Sequence, residues 1–402
     1  VKLYRKAVLP LCFQANAVAC GIKRSGKPDL ALFYSEAPAK AACRFTANKI
    51  QAAPIKINKS YLKNNRQFQA IIANSGNANC FTGAQGLKDA AETSQAAALA
   101  LGIEKEGVLV ASTGIIGKKL PIQKIKKAIP DLAAGLSCGG IDKAKKAIRT
   151  TDTFDKEITA KFNIGASTVT ICGLAKGAGM IAPKMACPER RPSTLLGPSP
   201  ELVEGRSRGA TMLAFIFTDA EITQKALDKA LDMAVDNSFN CITVDGCMST
   251  NDSVMVLANA AAMNAPIDAN KNFASFSNAL KAVCLELAKM IVKDAEGATK
   301  FIQISVAGAR DVSQARIAAL SIANSNLFKT AIYGQNPNFG RIVAAIGASA
   351  IEVKEKDIKI KVSPLKKSRI SVDVSVGRGK ARATVYTSDL TPEYIKINAE
   401  YN

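Results

Sequence analysis

Apolar and polar positions along this chain follow a period of two in some stretches and a helical period in others. Residues 17–57 interrupt short apolar runs with Gly and Pro, the rhythm of a β-rich start. QAIIANSG (69–76) and VLVASTGIIG (108–117) each read as an apolar strand running into a polar, glycine-bearing loop. Between them, residues 86–101 are Ala-rich and predict a helix. KFNIGASTVTICGLAKGAG (161–179) holds a buried strand and then a glycine-rich turn, and TMLAFIFTDAEI (211–222) is a strongly apolar strand. Thr223 then caps a helix over 224–236, with Leu227, Leu231 and Val235 on one face. A longer amphipathic helix over 276–293 turns Leu280, Cys284, Leu287 and Ile291 inward. Near the end, ISVDVSV and KARATVYTS alternate and are expected to pair as a hairpin across Gly377-Arg378-Gly379. This mixed order of strands and helices predicts α/β or α+β layers, with helices covering a sheet or sheets.

One segment breaks the pattern. Residues 186–209 carry four prolines, three glycines and four arginines without periodicity, as expected of an exposed linker or disordered insert. The apolar strand at 211 begins directly against its end.

Composition narrows the chemistry. Hydrophobic residues make up 48% and charged residues 22% of the 402, the balance of a soluble globular protein. No apolar run approaches the roughly 18 residues that span a bilayer. The first residues, VKLYRKAVLPLCFQ, are interrupted by Pro10 and Gln14, so no signal-peptide core is read and a cytoplasmic location is expected. The ten cysteines include no CxxC pair, which is neither a zinc spacing nor a disulfide framework. No histidine is present. A Ser-His-Asp triad, a Cys-His pair and a histidine-ligated metal are therefore excluded, and the expected metal content is none. Any acyl-transfer base must be a carboxylate, a lysine or an α-amino group. The net charge of +21 raises nucleic acid as a partner, but the lysines are spread along the chain and aromatics are only 5%. A clustered basic face with stacking rings is not seen, so neither nucleic acid nor membrane is expected as a partner.

Four polar, Gly-rich segments stand out as candidate sites. ANSGNANCFTG (73–83) and STGIIG (112–117) lie at strand ends and offer backbone N–H groups to an anion or oxyanion. FNCITVDGCMSTND (239–252) mixes acids, hydroxyls and amides, and KDAEGATKF (293–301) sets Glu296 beside a glycine just past a helix. Each is also what a tight turn or helix cap looks like. Thr211 is ordinarily just a β-former. Here it follows the small pair Gly209-Ala210, sits where the linker meets the core, and belongs to a chain without histidine. A free α-amino group titrates near ~7.7–8.0, so an N-terminal Thr supplies its own base.

The ordered set of motifs is specific. KGAGMIAPKM (176–185) and ATMLAFIFTDA (210–220) resemble the self-processing segment of the ArgJ-type ornithine acetyltransferases. GIKRSGKPDLAL (21–32), TTDTFDK (150–156), NPNFGRI (336–342) and INAEY (397–401), with the four segments above, agree with the same family along essentially the whole chain. The resemblance implies a layered α/β sandwich shared with self-cleaving aminopeptidases of the DmpA type. It implies a cut between Ala210 and Thr211, giving an α chain (1–210) and a β chain (211–402) that form one intertwined unit, generally an (αβ)₂ assembly. Thr211 then carries acetyl from N-acetylornithine to glutamate, in arginine biosynthesis. Thr113 and Gly114 match the oxyanion pair, and Thr153, Lys176, Glu296 and Asn398 match substrate-binding positions, with Lys176 suited to a carboxylate and Glu296 to the ornithine amine. No cofactor is implied, although some members also take acetyl from acetyl-CoA.

This chain departs from the family pattern in places. The insert at 186–209 separates Met185 from Ala210, and the chain stops at Asn402, before a Thr that commonly follows. Phe339 stands where Trp is frequent, Asn336 where Asp is frequent, and Cys247 where an acid is frequent. Two other readings stay open from the residues alone: an N-terminal-nucleophile aminopeptidase on the same fold, and a remnant left unprocessed by the insert.

Overall fold

The computed structural model describes residues 1–65, 67–186 and 211–400. Residues 187–209 of the expected insert, and Ala210 of the expected cut, lie outside them. Ala186, expected as the insert's first residue, belongs instead to a short strand that pairs with Phe45.

Fourteen strands are present among the described residues: β1 (Lys2–Tyr4), β2 (Phe13–Val18), β3 (Leu30–Thr46), β4 (Phe68–Asn77), β5 (Val108–Ile115), β6 (Lys156–Ile164), β7 (Ser167–Lys176), β8 (Met185–Ala186), β9 (Leu213–Thr218), β10 (Ser253–Ala258), β11 (Phe301–Ala309), β12 (Lys359–Val362), β13 (Arg369–Ser375) and β14 (Ala381–Ser388). The larger sheet runs β1-β6-β7-β9-β10-β3-β4-β5, with β2 and β8 also on β3. Strand β3 is the hinge of this sheet. Its first part pairs with β2 and β4, and its last residues pair with β10 and β8. The β4 ladder skips between Tyr34 and Ala39, where Pro38 has no N–H to give.

The bend folds the sheet over itself. Phe215 and Phe217 of β9 meet Phe33 of β3 at ring distances of 5.4 and 5.1 Å, inside the core between the two halves. The alternate residues of β9, Ala214 and Ile216, face the other way, against the helices Gln224–Asp236 and Phe273–Lys293. Because side chains alternate across a strand, one strand buried on both faces feeds two cores. On the far side, Leu30, Leu32, Ile72 and Val110 pack under the helices Gly83–Leu101 and Ile122–Ala134. The result is a helix–sheet–sheet–helix sandwich, a layered α/β fold.

Two local expectations are corrected. Residues 53–57, read as part of a β-rich start, open the helix Ala53–Asn64, with Pro54 in its first turn, where a missing N–H costs nothing. The hairpin expected across Gly377-Arg378-Gly379 does not form. The smaller sheet is ordered β12-β13-β11-β14, so β11 lies between β13 and β14. β11 is parallel to β13 and antiparallel to β14, and it buries Ile302, Ile304 and Val306 in a third core under the helix Val312–Ala323. The more apolar strand takes the centre, and the glycine-bearing turn passes across its end.

Candidate active site

Strand ends bring the site together. Lys176, the last residue of β7, is paired with Leu213 at the start of β9, and Ser253 of β10 is registered with the same Leu213. Thr113 and Gly114 lie at the end of β5, just before its final residue Ile115. Thr211, two residues before β9, is 2% exposed, and Thr113 and Lys176 have no exposed surface.

The Lys176 ammonium is the centre of this cluster. It donates to the Thr150 hydroxyl at 2.8 Å, to the Thr211 carbonyl oxygen at 2.9 Å and to Thr113 Oγ1 at 3.3 Å. Burial pushes its pKa down, while the Asp152 carboxylate, 4.0 Å away, pulls it back up. A substrate carboxylate arriving at Lys176 would thus share it with oxygens already in place.

Gly114 has φ of +143°, and a Cβ there would lie 2.1 Å from the Asn77 nitrogen, so no other residue fits beside Thr113. The Thr211 hydroxyl has its own partner. Its Oγ1 lies 2.9 Å from Ser249 Oγ, which also accepts from the Asn251 N–H at 3.2 Å. The Asn251 side-chain amide donates to the carbonyls of Ala78 and Ser112, at 2.7 and 2.8 Å. The 249–252 loop is therefore stitched to the end of β5, which fixes Ser249 against Thr211. Asp252, next in the loop, accepts the Met212 N–H at 2.9 Å.

Behind Lys176 runs a buried chain of alternating charge. Asp152 Oδ1 takes the Lys156 ammonium at 2.6 Å and the Gly177 N–H at 2.7 Å, and its Oδ2 takes the Thr150 N–H at 3.0 Å. Lys156 also bonds Asp294, and Asp294 accepts both the N–H and the hydroxyl of Thr153. Burial alone would raise the Asp152 carboxyl, but Lys176 and Lys156 hold it well below the usual range.

Glu296 and Asn398 form a second group. Asn398 Nδ2, on the helix Pro392–Ala399, donates to Glu296 Oε2 at 3.1 Å, and the Glu296 N–H bonds the Ala178 carbonyl, two residues past Lys176. Tyr394 of the same helix donates to the half-buried Asp245 at 3.3 Å. The structure thus joins Thr211, Thr113 and Lys176 directly, reaches Thr153 from Lys176 through Asp152, Lys156 and Asp294, and sets Glu296 with Asn398. Nothing in the sequence picks out Ser249, Asp252, Asp152, Lys156 or Asp294 individually. The first two lie in FNCITVDGCMSTND and Asp294 in KDAEGATKF, segments marked by their polar, glycine-bearing character, while Asp152 and Lys156 lie in TTDTFDK, which enters only through the family resemblance. Among the described residues, no cluster of three or more carboxylates and cysteines is arranged to hold a metal ion, and no helix is long and apolar enough to cross a membrane.

Comparison with known proteins shows the family. The sequence model of the ArgJ family matches residues 14–402. A protein of Geobacter sulfurreducens named arginine biosynthesis bifunctional protein ArgJ is 42% identical, over 97% of this chain and 98% of its own. A protein of the same name from Syntrophotalea carbinolica is 41% identical, again over 97% and 98%. Among solved structures, a Mycobacterium tuberculosis ornithine acetyltransferase complexed with ornithine is similar to 46% of this chain and 99% of its own chain, at 38% identity and a TM-score of 0.44.

Proposed function

This chain belongs to the ArgJ family, and from that premise we propose that it moves acetyl from N-acetylornithine to glutamate on Thr211, after cutting its own backbone before that residue. It is an acetyltransferase of arginine biosynthesis. The observation that carries the assignment to Thr211 is the Lys176 ammonium, bonded at once to the Thr211 carbonyl and the Thr113 hydroxyl.

In the uncut chain, Thr211 Oγ attacks the Ala210 carbonyl. The C–N bond breaks as the C–O bond forms, and water then hydrolyses the ester. The α chain (1–210) gains a carboxylate and the β chain (211–402) gains a free α-amine. In turnover that amine takes the Oγ proton, and Oγ attacks the acetyl carbonyl. A hydroxyl that accepts from an ammonium is a stronger donor, so Thr113 is polarised by Lys176 toward the oxyanion, beside the Gly114 N–H. Collapse expels the ornithine amine, which leaves with the proton. The glutamate amine then attacks acetyl-Thr211, and N-acetylglutamate departs.

Glu296 suits the ornithine side-chain ammonium. Asn398 offers both an N–H and a carbonyl, and so accommodates the glutamate carboxylate in the same pocket. Thr153 and Lys176 hold the substrate's α-carboxylate end. The steps call on no cofactor, and acetyl-CoA as a second donor would load the same Thr211. An (αβ)₂ assembly in the cytoplasm completes the proposal. The test is intact mass and chain-end sequencing of the purified protein and of Thr211→Ala. Two chains, the second starting Thr211-Met212, and a single inactive chain for Thr211→Ala are expected. A cut, active Thr211→Ala variant would sink the assignment.

A further inference from the structure

Asp252 has no step in that sequence, yet it sits beside the reacting residue. It has no exposed surface, and its Oδ2 has no hydrogen-bond partner. A buried carboxylate oxygen left unpaired is costly. Its other oxygen takes the Met212 N–H. Strands β9 and β10 run parallel with Leu213 opposite Ser253, and continuing that register puts Asp252 beside Met212 and Asn251 beside Thr211. The carboxylate therefore caps the start of β9, one peptide unit from the Thr211 nitrogen. In the uncut chain that nitrogen is an amide. A cut turns it into an amine with hydrogens to place, on a residue 2% exposed.

We propose that Asp252 is the counter-ion of the Thr211 α-ammonium in the cut enzyme, its Oδ2 accepting the N–H that the cut creates. This rests on the reading of Thr211 as a self-released N-terminus. Asp252 is a positioning residue: it holds the amine against the hydroxyl whose proton it takes, and it faces the positive charge while that proton is on nitrogen. The proton goes from Thr211 Oγ to the amine and then to the departing ornithine nitrogen, while Asp252 keeps its charge throughout. Other charged groups bear on the same carboxyl. Burial pushes it up to about 7, the Met212 and Ser249 N–H groups and Lys176 pull it down, and Asp245 pushes it up. Before a cut the carboxyl is thus poised near neutrality, in the range of a terminal amine at ~7.7–8.0.

The consequence is a pH profile. In a two-step exchange, kcat/KM for N-acetylornithine reports only formation of the acetyl-enzyme, and its acidic limb reports the base of the free enzyme. An opposite charge close by shifts a pKa by roughly 1–3 units. Asp252→Asn removes the anion and stabilises the ammonium less. Its acidic limb is expected about one unit or more lower than wild type, with Lys176 and Asp245 unchanged between the two. A merely structural role would lower the rate and leave the limb in place. A second measurement needs no variant: the pH dependence of acylation of the Thr211 amine by a small anhydride in the wild-type enzyme. It should titrate above ~8.0, whereas burial and Lys176 acting alone would bring it below ~7.7. Intact mass is recorded on every sample. A cut wild type with an unmoved limb, or with a depressed amine, overturns the role of Asp252 and leaves Thr211 standing. An uncut wild type has no amine and overturns both.

Discussion

Lys156→Met isolates the buried charge chain behind Lys176. The side chain is completely buried and its ammonium bridges Asp152 and Asp294. Methionine keeps most of its volume and removes the charge. Breaking a buried ion pair by deleting one partner costs about 3–5 kcal/mol. The low end applies here, because Asp152 keeps the Gly177 and Thr150 N–H groups and Asp294 keeps Thr153. At about 2.1 cal/mol/K of unfolding entropy per residue, 402 residues give about 0.84 kcal/mol/K. A loss of about 3 kcal/mol then lowers the melting midpoint by about 4 °C. The loss should depend on pH. The Asp152 carboxyl is held down by Lys176 and Lys156 against the upward push of burial. A depressed carboxyl adds stability above its unfolded pKa of ~3.9 and loses it as pH falls through the folded value. Removing Lys156 takes away part of that depression, so the gap between wild type and variant is widest above about pH 5 and narrows below about pH 4. Calorimetric melts at pH 7.5 and at successively lower pH measure it. A shift under about 1 °C at pH 7.5, or a gap that widens on acidification, would refute the reasoning.

Three further outcomes are expected. Thr113→Ala removes the hydroxyl that Lys176 meets at 3.3 Å, and should lower kcat by ~10²–10³-fold while KM for N-acetylornithine changes little; steady-state kinetics with an unchanged kcat would refute the oxyanion role. Gly297→Ala places a Cβ 2.5 Å from the Tyr394 nitrogen at a φ of +65°, which displaces the helix carrying Asn398 from Glu296; KM for both substrates should rise, and unaltered KM values would show that this pairing is not used. Deleting 187–209 spares β8 and should leave maturation intact or faster by intact mass, whereas a chain that no longer cuts itself would make the segment an adapted part of the enzyme.

Helices were legible where periodicity and caps agreed. The helix Gln224–Asp236 begins as Thr223 predicts, with the threonine side chain accepting the Ala226 N–H. Strand pairing was less legible, and β13 and β14 show why. A glycine-bearing turn reports that the chain reverses, but not whether the reversing strands touch, and β11 competes for the central place with a more apolar run. The site divides the same way. Thr113, Lys176 and Thr211 lie in compact motifs that a reader meets as units. The bond from Lys156 to Asp294 joins residues 138 apart, and nothing local marks it. Ser249 and Asp252 fall between these cases: their segment is conspicuous, but only the β9–β10 register selects these two from its hydroxyls and acids.

Strands β9 and β10 lie between β7 and β3 in the sheet. A cut before Thr211 would sever the connection without opening a ladder, and the second piece would remain as a tongue driven through the middle of the first. Folding and refolding then become different problems. The newborn chain closes its sheet within one molecule. An enzyme that has been cut and then unfolds must bring two fragments together by collision, each exposing the raw edge of an interrupted sheet. Its working lifetime would be set by how rarely it opens rather than by how strongly equilibrium favours the native state, and the order of events in the cell, folding first and severing second, would be irreversible.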